Sequence, residues 1–311
     1  MTDAISNRGN WFARLGEFLG MIKVAHTLFA MPFAIGAVFL AHREFPDDEF
    51  PIASLDFAIL LSQVMLAVAL ARTAAMSFNR WADRDLDRLN PRTSGRSIPA
   101  GRLGAATVLW WAVGSSAGFV AVTATINPLA LQLSPAVLLV VLGYSWTKRF
   151  TSLCHLVLGL GLALAPIGAW VAVRGTLLAA EGGLDPVPWI LGGSVLLWTA
   201  GFDILYACQD HDFDLQQRLH SLPTRFGIRS ALRLSQILHF LMVGLLVTLW
   251  DQAHLGIPFA VAIIIVSLLL VAEHRLVKAD DLTRVQSSFF TLNAIISSIL
   301  MVALMVEGWS G

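Results

Sequence analysis

Long stretches of apolar residues recur from end to end of this 311-residue chain. The chain is 56% hydrophobic and only 14% charged, with a mean hydropathy of +0.70, whereas soluble domains carry about 25% charged residues. A run of about 17–25 mainly apolar residues crosses a bilayer as a helix, because a helix satisfies its own backbone hydrogen bonds. We therefore predict an all-α fold, a polytopic membrane bundle of nine transmembrane helices. The predicted spans are 22–42, 57–80, 104–124, 129–147, 152–173, 188–207, 231–250, 256–272 and 285–306.

Lysine and arginine are unevenly distributed between the predicted loops. If the N-terminus is cytoplasmic and the spans alternate, the outer side keeps only Arg43 and Arg174. This bias is typical of membrane proteins, whose cytoplasmic loops carry the excess of cations. We predict one integral-membrane domain over 1–311, with 1–21 as a polar N-terminal segment, in a bacterial-type inner membrane. The formal net charge of zero gives no argument for a nucleic-acid partner.

Two acidic motifs lie where the second and sixth predicted spans end. The first consists of Asn79, Asp83 and Asp87, and the second of Tyr206, Asp210 and Asp214. Residues four apart share one face of a helix, so each motif is predicted to present its polar atoms together. The predicted topology places both motifs on the cytoplasmic side of the membrane.

Carboxylates crowded at the end of a membrane helix repel one another and are costly to dehydrate. Divalent cations remove that penalty, and Mg²⁺ held by few carboxylates completes its shell with water and phosphate oxygens. The motifs therefore predict a membrane-embedded site for a Mg²⁺–diphosphate substrate, facing the cytoplasm. The alternative for either motif alone is a juxtamembrane helix whose acids pair with neighbouring arginines.

Two ionisable residues are predicted to lie deeper in the membrane than the motifs. Asp203 follows an apolar run seven residues before Asp210, and Arg72 lies seven residues before Asn79 among small apolar residues. A charge at such depth is expensive unless it is paired, which makes both residues candidates for a functional role.

Further cations and the two tyrosines of the chain complete the candidate set. Tyr144 is followed by Lys148 and Arg149 at a predicted helix end, and Arg96 lies in the loop after the first motif. Such cations can hold a diphosphate leaving group. Tyr144 and Tyr206 each precede a charged candidate by four residues, which favours a role in a pocket over the usual interfacial position of membrane tyrosines.

Four stretches resemble the UbiA family of membrane aromatic prenyltransferases. They are N-x-x-x-D-x-x-x-D from 79, Arg-Ser-Ile-Pro-Ala-Gly from 96, Tyr-x-x-x-Lys-Arg from 144 and Y-x-x-x-D-x-x-x-D from 206. Their order and separation also fit, and the resemblance covers about residues 20–305. Members often have Asp where this chain has Arg80 and Lys where it has His220. These two forms resemble a branch that is 4-hydroxybenzoate polyprenyltransferase-like.

The resemblance implies a role for each candidate residue. Asn79, Asp83 and Asp87 would bind one Mg²⁺, and Asp210 and Asp214 a second. Arg72, Lys148, Arg149 and Arg96 would hold the diphosphate. Tyr144 and Tyr206 would line the reaction chamber, with Asp203 near the aromatic acceptor. The implied activity is Mg²⁺-dependent transfer of a polyprenyl group from a polyprenyl diphosphate to 4-hydroxybenzoate in respiratory quinone biosynthesis.

Other functions are compatible with parts of the sequence. Within the family, the acceptor could be 1,4-dihydroxy-6-naphthoate in menaquinone biosynthesis, and haem-, chlorophyll- and tocopherol-type enzymes are further alternatives. A membrane transporter would account for intramembrane Asp203 and Arg72. A CDP-alcohol transferase also uses membrane acids and Mg²⁺, but its D-G-x-x-A-R type of pattern is absent from this sequence.

Overall fold

The computed structural model describes residues 16–21, 29–43, 51–279, 281–282 and 285–310. Residues 16–21 are helical, and the named helices follow in chain order. They are α1 (Met31–His42), α2 (Leu55–Ala82), α3 (Arg84–Leu89), α4 (Ala105–Ile126), α5 (Pro128–Thr147), α6 (Cys154–Arg174), α7 (Pro186–Ala207), α8 (His211–Gln216), α9 (Leu222–Phe226), α10 (Ile228–Gln252), α11 (Ile257–Leu276) and α12 (Val285–Ser310). A 3-10 turn at Cys208–Asp210 joins α7 to α8. Within the described ranges the β contacts are two isolated bridges, so the all-α prediction is confirmed.

In the described part of the chain, eight helices are long and apolar enough to cross a membrane, which confirms a polytopic helical membrane protein. They are α2, α4, α5, α6, α7 with its continuation to Gln216, α10, α11 and, over Thr291–Trp309, α12. The first predicted span is represented by α1, a shorter apolar helix of 12 residues. Residues 22–28 of that span and most of the polar N-terminal segment lie outside the described residues.

Side-chain caps set the beginnings of three spanning helices. The Ser54 Oγ accepts from the backbone of Phe57 at 3.1 Å ahead of α2, and the Asn127 Oδ1 accepts from Ala130 at 2.8 Å ahead of α5. Asp185 caps α7 in the same way. Each cap satisfies a backbone amide that the helix cannot satisfy internally. A capping residue in the preceding loop therefore allows the helix to begin directly after it.

The largest core lies between α1, α6, α7, α10, α11 and α12. Its fully buried side chains include Phe33, Trp198, Met242, Phe259 and Leu300. The faces turned away from this core are also apolar, as the exposed side chains of α10 and α11 show. Apolar groups on both the inner and outer faces are expected where the solvent is lipid.

A close approach fixes α7 against α10. Gly201 lacks the Cβ that would overlap the His239 ring, and Ser235 Oγ donates to the Gly201 carbonyl at 2.7 Å. One turn earlier on α7, Trp198 Nε1 donates to Asn293 Oδ1 of α12 at 2.8 Å. These contacts hold the helix that carries Asp203 and leads into the second motif.

Candidate active site

Each acidic motif crosses a break between two helices. Asp83 joins α2 to α3 at φ −96° and ψ 6°, and Asp210 precedes α8 at φ −97° and ψ 4°. The prediction that each motif follows one helical face is therefore wrong at the middle acid. The three residues of the first motif are nevertheless joined by backbone hydrogen bonds of helical spacing. The Asp83 amide donates to Asn79 O at 2.9 Å, and the Asp87 amide donates to Asp83 O at 2.7 Å.

Each of the four motif acids forms an ion pair with a cation of this chain. The pairs are Asp83 with Arg149 (3.2 Å), Asp87 with Arg96 (2.6 Å), Asp210 with Arg92, and Asp214 with Lys148 (2.7 Å). In the first motif Asn79 Nδ2 also donates to Asp83 Oδ2 at 2.9 Å. These pairs connect the two motifs to the loop after α3 and to the end of α5. Charged side chains from these four parts of the chain therefore lie together.

Both motifs line one polar cavity of about 270 Å³ at the ends of α2 and α7. Its walls include Tyr206 of the second motif and, outside the motifs, Tyr144 and Asp203. The structure thus brings together all the predicted metal ligands, and with them the predicted diphosphate ligands Lys148, Arg149 and Arg96. Among the described residues the cavity therefore combines acidic oxygens with several cations.

A second, apolar chamber of about 440 Å³ adjoins the polar cavity. It is lined by apolar side chains of α2, α4, α5, α6 and α7, among them Val68, Phe119, Val140 and Phe202. Tyr144 and Asp203 line both spaces and mark the boundary between them. A hydrocarbon chain in the apolar chamber would therefore have its polar end among the charges.

Arg72 lies apart from the other predicted diphosphate ligands. It lines the apolar chamber, together with Tyr144 and Asp203, and is not among the residues that line the polar cavity. Among the described residues it is the one cation of the apolar chamber.

Sequence reasoning missed three residues that make polar contacts in the site. Arg92 donates from Nε to Asp210 Oδ1 at 2.8 Å and from Nη1 to the Tyr206 phenol oxygen at 2.7 Å, and Asn90 Nδ2 also donates to Asp210. His155 donates to or accepts from Asp203 Oδ2 across 2.7 Å. His155 is an ionisable residue near the start of an apolar helix, and that signal could have identified it.

Charges at the cavity shift the acid–base behaviour of two groups outside the spanning helices. Burial raises the pKa of Asp83, and the hydrogen bond from Arg149 offsets only part of that effect. Burial alone would lower the pKa of Lys148, but the Asp214 carboxylate more than offsets it, so the pKa is raised. The Asp83 carboxylate is thus incompletely compensated, and a further cation would stabilise its ionised form.

The chemistry of the motif residues fits a magnesium site. Their side chains offer carboxylate and amide oxygens, the ligands that Mg²⁺ prefers. Asp87 Oδ2 and Asp214 Oδ1 are buried and have no hydrogen-bond partner among the described residues. Buried carboxylate oxygens without a partner are costly, and a divalent cation removes that cost. In the described part of the chain no three acids, imidazoles or thiols are grouped closely enough to ligate one ion together, and each motif acid is paired with a cation.

Comparisons with known proteins agree with this architecture. The UbiA prenyltransferase family matches residues 29–295 of the chain. A 4-hydroxybenzoate octaprenyltransferase of Vibrio vulnificus (strain CMCP6) is 31% identical over 256 residues, which cover 82% of this chain and 86% of that protein.

Two solved structures share the fold. The apo structure of a UbiA homologue from Aeropyrum pernix K1 is 34% identical with a TM-score of 0.78, and the match covers 90% of this chain and 97% of that one. A UbiA homologue from Archaeoglobus fulgidus, bound to GPP and Mg²⁺, is 22% identical with a TM-score of 0.71. The match covers 95% of this chain and 100% of that one. On the strength of the family match, which spans most of its length, this chain belongs to the UbiA prenyltransferase family.

Proposed function

We propose that this enzyme transfers a polyprenyl group from a polyprenyl diphosphate to the aromatic acid 4-hydroxybenzoate, in respiratory quinone biosynthesis and with Mg²⁺. One observation carries the proposal: a polar cavity lined by both acidic motifs adjoins an apolar chamber, and Tyr144 and Asp203 belong to both. A substrate with a charged head and a long hydrocarbon tail matches this pair of spaces. The name of the Vibrio vulnificus relative supports the choice of acceptor.

The diphosphate would bind in the polar cavity. Asn79, Asp83 and Asp87 would hold one Mg²⁺, and Asp210 and Asp214 a second, which would neutralise charge on the departing diphosphate. Lys148, Arg149 and Arg96, which now pair with motif acids, would bind the phosphate oxygens. The Archaeoglobus fulgidus protein of the same fold is bound to GPP and Mg²⁺, which supports the choice of a prenyl diphosphate and Mg²⁺ as ligands.

The prenyl chain would lie in the apolar chamber. Its walls present Val68, Phe119, Val140 and Phe202, and such walls exclude water from the allylic cation that forms when the diphosphate leaves. The electron-rich ring of the acceptor would then attack that cation, and a proton would leave the ring carbon. Tyr144 and Tyr206 would line the space in which the two substrates meet.

The acceptor would bind at the boundary between the two spaces. Asp203 and Arg72 both line the apolar chamber, where Asp203 would accept a hydrogen bond from the hydroxyl of 4-hydroxybenzoate and Arg72 would bind its carboxylate. This assignment differs from the diphosphate role that the family resemblance implies for Arg72. A 1,4-dihydroxy-6-naphthoate acceptor carries the same two kinds of group, so it stays the alternative substrate.

The orientation in the membrane follows from the cations. Arg92, Arg96, Lys148 and Arg149 all lie at the cavity end of the bundle, and cytoplasmic loops carry the excess of Lys and Arg. We therefore place the cavity at the cytoplasmic face of a bacterial-type inner membrane.

The test incubates membranes that contain the enzyme with Mg²⁺, a polyprenyl diphosphate and one candidate acceptor at a time, and identifies the lipid product by mass. We expect prenylated 4-hydroxybenzoate, loss of product when EDTA removes the metal, and recovery when Mg²⁺ is restored. Product from 1,4-dihydroxy-6-naphthoate alone would move the enzyme to menaquinone biosynthesis. Product formation that survives EDTA would contradict the magnesium assignment.

A further inference from the structure

His155 connects the predicted acceptor residue to the segment that follows the second motif. It is the second residue of α6, and its side chain is only 2% exposed. Its Nδ1 lies 2.7 Å from Asp203 Oδ2, and its Nε2 lies 3.3 Å from the backbone nitrogen of Leu222, the first residue of α9. Both ring nitrogens are therefore engaged, one by a side chain and the other by the backbone.

The backbone contact determines which ring nitrogen of His155 carries the proton. The Leu222 amide can only donate, and it is one of the N-terminal amides that α9 cannot satisfy internally. Its hydrogen points to Nε2, so Nε2 is the acceptor and Nδ1 carries the hydrogen. His155 therefore donates from Nδ1 to the Asp203 carboxylate, in the way that a second partner commonly fixes the tautomer of a functional histidine.

The same segment is also tied to the neighbouring residue. The thiol of Cys154 donates to the His220 carbonyl at 3.5 Å, and the His220 amide donates to the Lys148 carbonyl at 2.7 Å. These contacts hold the segment 219–222 between the start of α6 and the end of α5. The orientation of His155 is thus set by backbone on the side away from Asp203.

The histidine leaves one oxygen of Asp203 for other contacts. His155 engages Oδ2, while the Asp203 side chain as a whole is 24% exposed and lines both adjoining cavities. A carboxylate with one oxygen fixed and the other accessible presents a directed hydrogen-bond acceptor. An unsupported aspartate would rotate among several rotamers.

We infer that His155 is a positioning residue, which holds Asp203 in the orientation that accepts a hydrogen bond from the hydroxyl group of the aromatic acceptor. This inference rests on the proposed function, since it requires an acceptor with a hydroxyl group. His155 itself does not touch the acceptor. His155 belongs to the wall of the polar cavity, but its side chain is only 2% exposed and both ring nitrogens are engaged within the protein. We therefore expect loss of its bond to Asp203 to affect acceptor binding rather than binding of the prenyl diphosphate.

Two substitutions separate the two bonds of His155. In His155→Asn the amide nitrogen can take the place of Nδ1 and donate to Asp203, but nothing reaches Leu222. In His155→Gln the side-chain oxygen can take the place of Nε2 and accept from Leu222, but the donor to Asp203 is lost. If His155 had a purely structural role, the two substitutions would impair acceptor binding to the same extent.

The experiment measures KM for 4-hydroxybenzoate and for the polyprenyl diphosphate in both variants, and binding of 4-hydroxybenzoate to the purified proteins by calorimetry. For His155→Gln we expect about a tenfold or larger rise in KM and Kd for 4-hydroxybenzoate, because a hydrogen bond to a charged group is lost. Its KM for the diphosphate should stay unchanged. His155→Asn should remain within about threefold of the wild type for both substrates, since the bond to Asp203 is kept.

An unchanged His155→Gln variant, or equal losses in the two variants, would overturn the inference. If the wild type converts 4-hydroxybenzoate and His155→Gln does so equally well, only the positioning role fails. If the wild type neither binds nor converts any hydroxylated aromatic acid, the proposed function fails and takes the inference with it.

Discussion

Arg92 spans the gap between the carboxylate of Asp210 and the phenol of Tyr206. Its Nε and Nη2 donate to the two oxygens of Asp210, and its Nη1 donates to Tyr206 at 2.7 Å. The planar guanidinium matches a carboxylate with two parallel hydrogen bonds. Arg92 thereby fixes the loop after α3 to the second acidic motif, which no other cation of that loop contacts among the described pairs.

Replacing Arg92 by lysine tests this contact. Lysine keeps the charge but cannot bind both oxygens of Asp210 and reach Tyr206 as well. We expect kcat/KM for the polyprenyl diphosphate to fall about tenfold or more, which corresponds to the loss of one or two charged hydrogen bonds. The exposed Arg88 provides a control on the same segment, and Arg88→Lys should retain full activity. Equal effects of the two substitutions would show that Arg92 has no special role.

The motif acids can be tested against acids that lie beside them in sequence. Asp83→Ala and Asp210→Ala should each lower product formation by about a hundredfold or more, because electrostatic stabilisation of the leaving group is worth several kcal/mol. Asp85 and Asp212 alternate with the motif acids, but their side chains are 70% and 92% exposed. Asp85→Ala and Asp212→Ala should therefore leave turnover within about twofold of the wild type.

Product is measured by mass in membranes, and an immunoblot of the membrane fraction shows that each variant still inserts. Undiminished turnover in Asp83→Ala or Asp210→Ala would refute the two-motif mechanism. If the Asp85 and Asp212 variants lost as much product formation as the motif variants, activity would depend on the net charge of the segment and not on the position of the acids in the cavity.

Arg72 distinguishes acceptor binding from diphosphate binding. Because Arg72 lines the apolar chamber, we expect Arg72→Gln to raise KM for 4-hydroxybenzoate about tenfold or more through the loss of a charge-assisted pair. KM for the polyprenyl diphosphate should change little. Initial rates with each substrate varied in turn provide the measurement, and Lys148→Gln, in the polar cavity, should show the opposite pattern. A rise in the diphosphate KM of Arg72→Gln would instead support the diphosphate role implied by the family resemblance.

Much of the fold could be predicted because the membrane constrains it strongly. Length and apolar composition suffice to locate spanning helices, and within the described residues each predicted span coincides with a helix, with Pro135 accommodated inside α5. The family match decides between the enzyme and the transporter in favour of the enzyme. The four-residue spacing also indicated that each motif acts as a unit, although the helix breaks at Asp83 and Asp210 have no clear signal in the sequence.

The contacts of the loop cations could not be predicted from spacing. Arg80, Arg84, Arg88, Arg92 and Arg96 follow one another at intervals of four residues, so on a continuous helix each would be a neighbour of the next. The helix ends before Pro91, whose ring disfavours a helical conformation at Asn90. Arg92 and Arg96 are therefore directed by a turn, toward Asp210 and Asp87, while Arg88 remains exposed. Such pairing depends on tertiary structure.

The close packing of α7 against α10 gives a prediction about stability. A Cβ on Gly201 would overlap Nε2 and Cδ2 of the buried His239, so Gly201→Ala should lower the free energy of unfolding by about 1–3 kcal/mol, the usual cost of overpacking. Gly244 on α10 has no atom within 4 Å of the position that a Cβ would occupy. Gly244→Ala should leave stability unchanged or raise it slightly, because alanine favours the helix.

The measurement is the midpoint of thermal unfolding of both variants in detergent, alongside the wild type. Because α7 carries Asp203 and leads into the second motif, displacement of the helix by Gly201→Ala should also reduce prenyl transfer below the unfolding midpoint, and Gly244→Ala should not. A Gly201→Ala variant as stable and active as Gly244→Ala would mean that the His239 ring moves aside without strain, and that α7 is held chiefly by its other contacts, such as that of Trp198 with Asn293.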